Sequence, residues 1–196
     1  MKFDDLAKNW ETEEVKERAE LVSEKIKKLK GNNARKALEF GAGTGLISFK
    51  LKDEFDQIDL IDTSANMLKV AQERDKTIKV FNINILEEEI DEKYDVIYTS
   101  MALHHVLEVD KAIEKFYSLL NEKGQLYIID LEPDNGDFHY GVDDFNGYDG
   151  FSKDEIEGKL KKANFKIEKF EDIFTGEKNQ KGKDITYTLF MVKAIK

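Results

Sequence analysis

The stretch Ala37-Leu38-Glu39-Phe40-Gly41-Ala42-Gly43-Thr44-Gly45-Leu46 opens with a short apolar run, meets an acid and passes at once into three glycines. Leu46, Phe49 and Leu51 then begin a helical spacing. This reads as strand, tight turn, helix. In an open α/β sheet such a turn lies outside the carboxyl ends of the strands, where ligands bind. Glycines tolerate positive φ and let a ligand lie on the backbone. The start of a helix offers N–H groups without intrahelical partners. The dinucleotide fingerprint is G-x-G-x-x-G. Here the pattern is G-x-G-x-G, with Leu46 where the third fingerprint glycine would stand. A Gly-rich turn that holds nothing is the plain alternative for so short a motif.

Outward from this turn, strands and helices alternate. Val15, Ala19, Val22, Ile26 and Leu29 mark one helix face over 13–30, ended by Gly31-Asn32-Asn33. Strands are expected at 36–40, 58–61, 78–83, 94–99 and 125–131. Helices are expected at about 45–52, from Thr63 and Ser64 as cap candidates to Arg74, at 110–120, and after Ser152 with Glu155 at capping-box spacing. Glu87-Glu88-Glu89 reads as a solvated loop. Such alternation predicts a parallel, doubly wound sheet. Strands at 165–174 and 185–192, joined by a charged turn over 176–184, should pair antiparallel.

Residues 132–151 break the pattern. They hold six acids, no Lys or Arg, and five aromatics beside His139. A loop this long without secondary structure is usually functional or disordered, and the aromatics argue against disorder. The opening residues, with Phe3, Leu6 and Trp10, read as a loosely structured arm.

The combination of Glu39, the Gly41–Gly45 turn, Asp62-Thr63-Ser64-Ala65-Asn66-Met67-Leu68 and Tyr94-Asp95-Val96-Ile97-Tyr98-Thr99-Ser100-Met101-Ala102-Leu103-His104-His105-Val106 resembles the class I S-adenosylmethionine (SAM)-dependent methyltransferases of the small-molecule type. The resemblance spans the chain. It implies an α/β fold with a seven-stranded, mostly parallel sheet, strand order 3-2-1-4-5-7-6, closed by an antiparallel C-terminal hairpin. It implies SAM as cofactor, S-adenosylhomocysteine as product and a methyl group transferred to a small molecule. Glu39 would orient the methionine amino group. Gly41, Ala42 and Gly43 would let the methionine part lie on the backbone. Asp62 would hold the ribose, with Thr63 beside it and Met67 against the adenine. Asn84 and Ile85 would meet the adenine, and Ser100 with Met101 would border the methyl group.

Each residue also has a plainer role. Asp62 can cap the following helix, and that is compatible with holding the ribose. Asn84 stands where the family usually has Asp; it keeps an acceptor oxygen and loses the charge, so an ordinary strand-end Asn weighs equally. Of the adjacent pair His104 and His105, which cannot both point the same way, one can serve as a general base, since an ordinary imidazole titrates near pH 6.5; anchoring the turn is the alternative, favoured for at least one of them. His105, His139 and Tyr140 are the catalytic candidates, the last two as substrate-side residues of the acidic loop, where a surface lid with incidental aromatics is the alternative. Phe3-Asp4-Asp5-Leu6-Ala7-Lys8-Asn9-Trp10 resembles a short lid of the family.

Composition bounds the rest. The chain of 196 residues suggests a single domain over 1–196, with an arm and helix over 1–30 and the acidic aromatic loop as substrate loop. A net charge of −10 argues against a nucleic-acid backbone or an anionic membrane as partner. Absence of cysteine removes disulfides, thiolate metal sites and a cysteine nucleophile. No signal peptide or membrane span is legible, which fits a cytoplasmic protein. The expectation is no metal, a monomer or homodimer, and a cationic or amine-bearing acceptor, from the acids of the 132–151 loop. The alternatives are a non-catalytic SAM-binding protein and an NAD-dependent oxidoreductase; Leu46 in place of a glycine and the terminal hairpin argue against the second.

Overall fold

The computed structural model describes residues 7–142 and 145–196. Seven strands, β1 (Lys36–Phe40), β2 (Gln57–Ile61), β3 (Lys79–Phe81), β4 (Tyr94–Ser100), β5 (Leu120–Leu131), β6 (Lys166–Gln180) and β7 (Lys183–Ile195), form one sheet in the order β3-β2-β1-β4-β5-β7-β6. Pairing is parallel from β3 to β5 and antiparallel for β5 with β7 and for β7 with β6. The expected order and sense are both observed. The strand order reverses between β1 and β4, and the crevice outside that point is where open α/β sheets take ligands.

Among the described residues five α-helices cover the sheet: α1 (Glu13–Leu29), α2 (Leu46–Leu51), α3 (Ala65–Arg74), α4 (Val109–Leu119) and α5 (Lys153–Lys162). Side chains of the central strands alternate between two apolar layers. Leu38, Ile97, Leu126 and Ile128 join Ile113 and Phe116 of α4 and Ile156 and Leu160 of α5 on one face. Ala37, Leu60, Tyr98, Tyr127 and Ile129 join Val22 and Ile26 of α1 and Leu51 of α2 on the other. Continuous apolar runs such as Val96-Ile97-Tyr98 follow from burial on both faces. Ser152 and Glu155 form the expected capping box, an arrangement worth about 1 kcal/mol.

Three boundaries differ from expectation. Residues 176–184 are not a charged turn: β6 runs to Gln180, β7 starts at Lys183, and Lys181 and Gly182 (φ 49° and 84°) make the turn. Two successive left-handed residues match the twist of a hairpin. Glu177, Lys178, Lys181, Lys183 and Asp184 lie along this ribbon, and their density of charge disguised it as a loop. β5 starts at Leu120, so α4 ends at Leu119, before Gly124. β3 keeps three residues only, 79–81. The 132–151 stretch has no helix or strand among its described residues. Phe3 and Leu6 of the arm lie outside the described residues, as do Asp143 and Asp144.

Candidate functional site

A cavity of about 430 Å³ opens at the carboxyl ends of the central strands, within the ordinary range for small-molecule sites. The turn after β1 forms part of its wall. Gly41, Gly43 and Gly45 have φ of 65°, 53° and 74°, a region that costs a residue with a side chain roughly 1–2 kcal/mol. Gly41 is required for a second reason. A Cβ there would stand 2.2 Å from Cβ of Ala102, so the turns after β1 and β4 meet with no room between them.

Asp62 follows β2 and closes onto this turn. Its Oδ2 accepts from Gly43 N–H and its Oδ1 from Ser64 N–H, both at 2.8 Å. Two charge-assisted bonds hold the carboxylate across the turn. Ser64 caps α3, its hydroxyl accepting from Met67 N–H at 3.2 Å. Asp62 therefore supports the helix start without being its cap.

Glu39 is buried, and burial pushes its carboxyl up to about 8; the charge of Asp62 adds to the rise, while hydrogen bonds from Ser48 oppose it. Ser48 donates to Glu39 from its hydroxyl and, at 3.2 Å, from its N–H. The same hydroxyl lies 2.6 Å from that of Tyr98. This buried network underlies the glycine turn. Thr44 Oγ1 is buried with no hydrogen-bond partner among the described residues.

Asn84 is committed to its own turn. Its Oδ1 accepts from Leu86 N–H at 3.1 Å and its Nδ2 donates to Glu87 at 2.9 Å. That geometry supports the strand-end role and carries Ile85, buried, into the cavity wall.

At the end of β4, Met101 has φ of 56°, a strained conformation for a residue with a side chain. Leu103–His105 is a 3-10 turn. It brings both adjacent rings together, with centroids 4.1 Å apart, contrary to the expectation that they diverge. His104 is buried; its backbone N–H and its Nδ1 both meet Asp130 of β5, at 3.2 and 2.5 Å. His139 reaches the same place from the loop after β5, its ring 5.1 Å from that of His104 and 5.5 Å from that of His105, stacked on Phe145 at 3.6 Å. Burial, reinforced by the neighbouring rings, takes His105 down to about 3, and burial takes His139 down to about 4. Both are neutral at pH 7 and weaker bases than an ordinary imidazole.

A family profile described as a methyltransferase domain matches residues 38–126. An uncharacterized methyltransferase of Staphylococcus carnosus is 34% identical over 128 residues, covering 64% of this chain and 61% of that protein. Over these stretches the chain is similar to methyltransferase domains. It spans 61%, 40% and 44% of the length of the first three curated relatives it matches. Solved structures agree on the fold. A crystal structure from Bacillus halodurans, named a putative methyltransferase, superposes with a TM-score of 0.73 at 16% identity, covering 90% of this chain and 98% of that one. The N-methyltransferase NodS from Bradyrhizobium japonicum, solved with S-adenosylhomocysteine, gives 0.69 at 18%, covering 92% and 86%.

Within this fold, all ten residues expected at the cofactor line the same cavity, from Glu39 and the glycine turn to Ser100, and His105 lines it too. His139 is not among the wall residues, and its ring lies 5.5 Å from that of His105. Tyr140 does not reach it: the side chain is half exposed, beneath Lys183 of the hairpin. Asp134 and Asp137 of the acidic loop also have local partners, Asp134 accepting from Gly136 N–H and Phe138 N–H and Asp137 pairing with Lys183. Trp10 lies on the cavity wall, its Nε1 3.7 Å from where a Cβ of Gly43 would be. Sequence reasoning missed Val15, Arg18 and Ala19 of α1 as wall residues. Arg18 adjoins Ala19 on the inward side of α1 and is buried there, which its residue type alone does not announce.

Proposed function

We propose that this chain is an enzyme that binds SAM in the cavity and transfers its methyl group in line to a small-molecule acceptor. The observation that carries this is Asp62 clamped by Gly43 N–H across three left-handed glycines at the strand-order reversal. The residues present fit the cofactor. Gly41 and Gly43 leave backbone bare where a chain of atoms must pass, Thr44 Oγ1 offers a buried hydroxyl without a partner among the described residues, and Glu39 and Arg18 place an acid and a cation in the wall. SAM supplies an electrophilic methyl on a sulfonium. The chain's own tasks are binding, alignment and exclusion of water. Asp62 accepts from the ribose hydroxyls. Glu39, once ionised, pairs with an ammonium, and Arg18 with a carboxylate. Trp10 and α1 cover one side of the cavity. The whole of 1–196 acts as one cytoplasmic domain, monomer or homodimer, and the 132–151 loop meets a cationic or amine-bearing acceptor. Replacing Asp137, Asp143 and Asp144 together should then weaken the acceptor; unchanged acceptor affinity ends that part of the reading.

Calorimetric titration tests the cofactor. SAM and S-adenosylhomocysteine should bind at micromolar concentration, and NAD should not. Asp62→Ala removes hydrogen bonds to a charged group, worth about 1.5–3 kcal/mol each, and should weaken both ligands at least about tenfold. Binding of NAD alone, or no response to Asp62→Ala, overturns the proposal.

A further inference from the structure

The chain has three histidines, and the fold brings all of them to one point: His104 and His105 from the turn after β4 and His139 from the loop after β5. One ring nitrogen from each lies within 4.8 Å of the others. We infer that these three imidazoles form a binding site for a divalent transition-metal ion, zinc first among them.

Unsatisfied nitrogens point to a ligand. His104 Nε2 and His139 Nδ1 are buried without a hydrogen-bond partner among the described residues, on side chains whose residues are 1% and 7% exposed. A buried polar group left unpaired costs about 1–3 kcal/mol, and an ion accepting both lone pairs removes that cost.

The other nitrogen of His104 is already committed. Its Nδ1 lies 2.5 Å from Oδ1 of Asp130, a fully buried residue whose carboxylate also accepts from Leu131 N–H at 2.8 Å. A carboxylate bound to one imidazole nitrogen fixes the tautomer and leaves the opposite nitrogen as a lone-pair donor, the usual support of a metal-ligating histidine.

Three neutral imidazoles suit zinc, cobalt, nickel and iron(II); magnesium and calcium prefer oxygen. Zinc–nitrogen bonds of about 2.0–2.1 Å put tetrahedral ligands roughly 3.4 Å apart, so small ring rotations close the cluster. Three protein ligands leave a position open, as in catalytic zinc sites. His105 belongs both to the cluster and to the cavity wall, so the ion sits at the cavity's edge. There it would take the lone pair of an acceptor's thiolate, phenolate or imidazole. That last step rests on the methyl-transfer reading; the metal site does not. Such a site departs from the expectation of no metal, which rests on the absence of cysteine and on a methyl transfer that itself requires none.

The test uses the full chain without a histidine tag, stripped with chelator and titrated with Co²⁺, then competed with Zn²⁺, with SAM binding measured in parallel. One Co²⁺ per chain with the visible d–d bands of a four- or five-coordinate ion, displaced by Zn²⁺, is expected. Asp130→Asn should weaken the ion 10–100-fold, and His139→Gln by more, with circular dichroism confirming the fold. Should His139→Gln fail to fold, His105→Asn, at a half-buried site, supplies the same loss. A wild-type protein that binds SAM but no Co²⁺ or Zn²⁺ at millimolar concentration overturns the site. So does binding indifferent to the replacements, with the three rings then forming only a packed aromatic cluster with Phe145. Co²⁺ binding without SAM binding would end the cofactor reading and leave the metal site standing.

Discussion

The two ends of the cavity are built in opposite ways. At the glycine end, partners are near in sequence: Glu39 meets Ser48, and Gly43 meets Asp62. The backbone itself is the scaffold, and its conformation demands particular residue types. At the histidine end, His104 meets Asp130 and His139 only because β4, β5 and the following loop converge. Nothing in the local backbone demands histidine there. The first end is specified by what each position can tolerate, the second by what the fold brings together.

The sharpest way to break the comparison is at Gly41. Gly41→Ala places a Cβ 2.2 Å from Cβ of Ala102 at a φ of 65°. Left-handed strain of about 1–2 kcal/mol and overpacking of about 1–3 kcal/mol should lower stability in chemical denaturation and abolish SAM binding. Gly41→Ala combined with Ala102→Gly relieves the clash alone and should recover the overpacking share. Wild-type stability in the single variant would mean that the two turns do not meet.

Glu39 tests the same end by pH. The unfolded chain releases this proton near the ordinary 4.5, and the folded chain keeps it to about 8. Between those values the folded state binds the extra proton, so stability falls as pH rises. At about 1.4 kcal/mol for each tenfold difference in proton affinity, the loss across the interval amounts to several kcal/mol. Glu39→Gln should flatten the fall and melt higher than wild type at pH 8, while weakening SAM. If an ammonium pairs with Glu39, cofactor binding at pH 7 should release close to one proton, read by calorimetry in buffers of different ionisation enthalpy. No proton release would remove Glu39 from the cofactor.

This contrast explains what was legible. The sheet order, the hairpin and the meeting of the residues from Glu39 to Ser100 around one cavity followed from a motif, because glycines, an acid after β2 and a strand-four block sit at fixed places along the chain. The end of β6 was misjudged because Glu177, Lys178 and Lys181 look like a loop when counted by charge, although a twisted two-stranded ribbon exposes both edges of such a run. Arg18 was missed because a buried cation reads as the polar side of a helix until a cavity is seen beside it. The convergence of His104, His139 and Asp130 has no local signature at all, since it depends on the register of β4 against β5 and on the path of an irregular loop.

Tyr140 gives the smallest expected effect and the finest test of that last point. It neighbours His139 in sequence and shares the aromatic loop, so by proximity along the chain it belongs to the site. In space its side chain is half exposed and outside the cavity wall, its backbone carbonyl accepts from Gln180 at 3.2 Å, and its ring lies 5.4 Å from the Lys183 ammonium. A cation over an exposed ring is worth about 0.5–1 kcal/mol. Tyr140→Ala should therefore lower stability by no more than about 1 kcal/mol in denaturant titration, and leave SAM affinity as it was. Loss of cofactor binding in this variant would show the loop turning inward, and would place Tyr140 where its neighbour in sequence already stands.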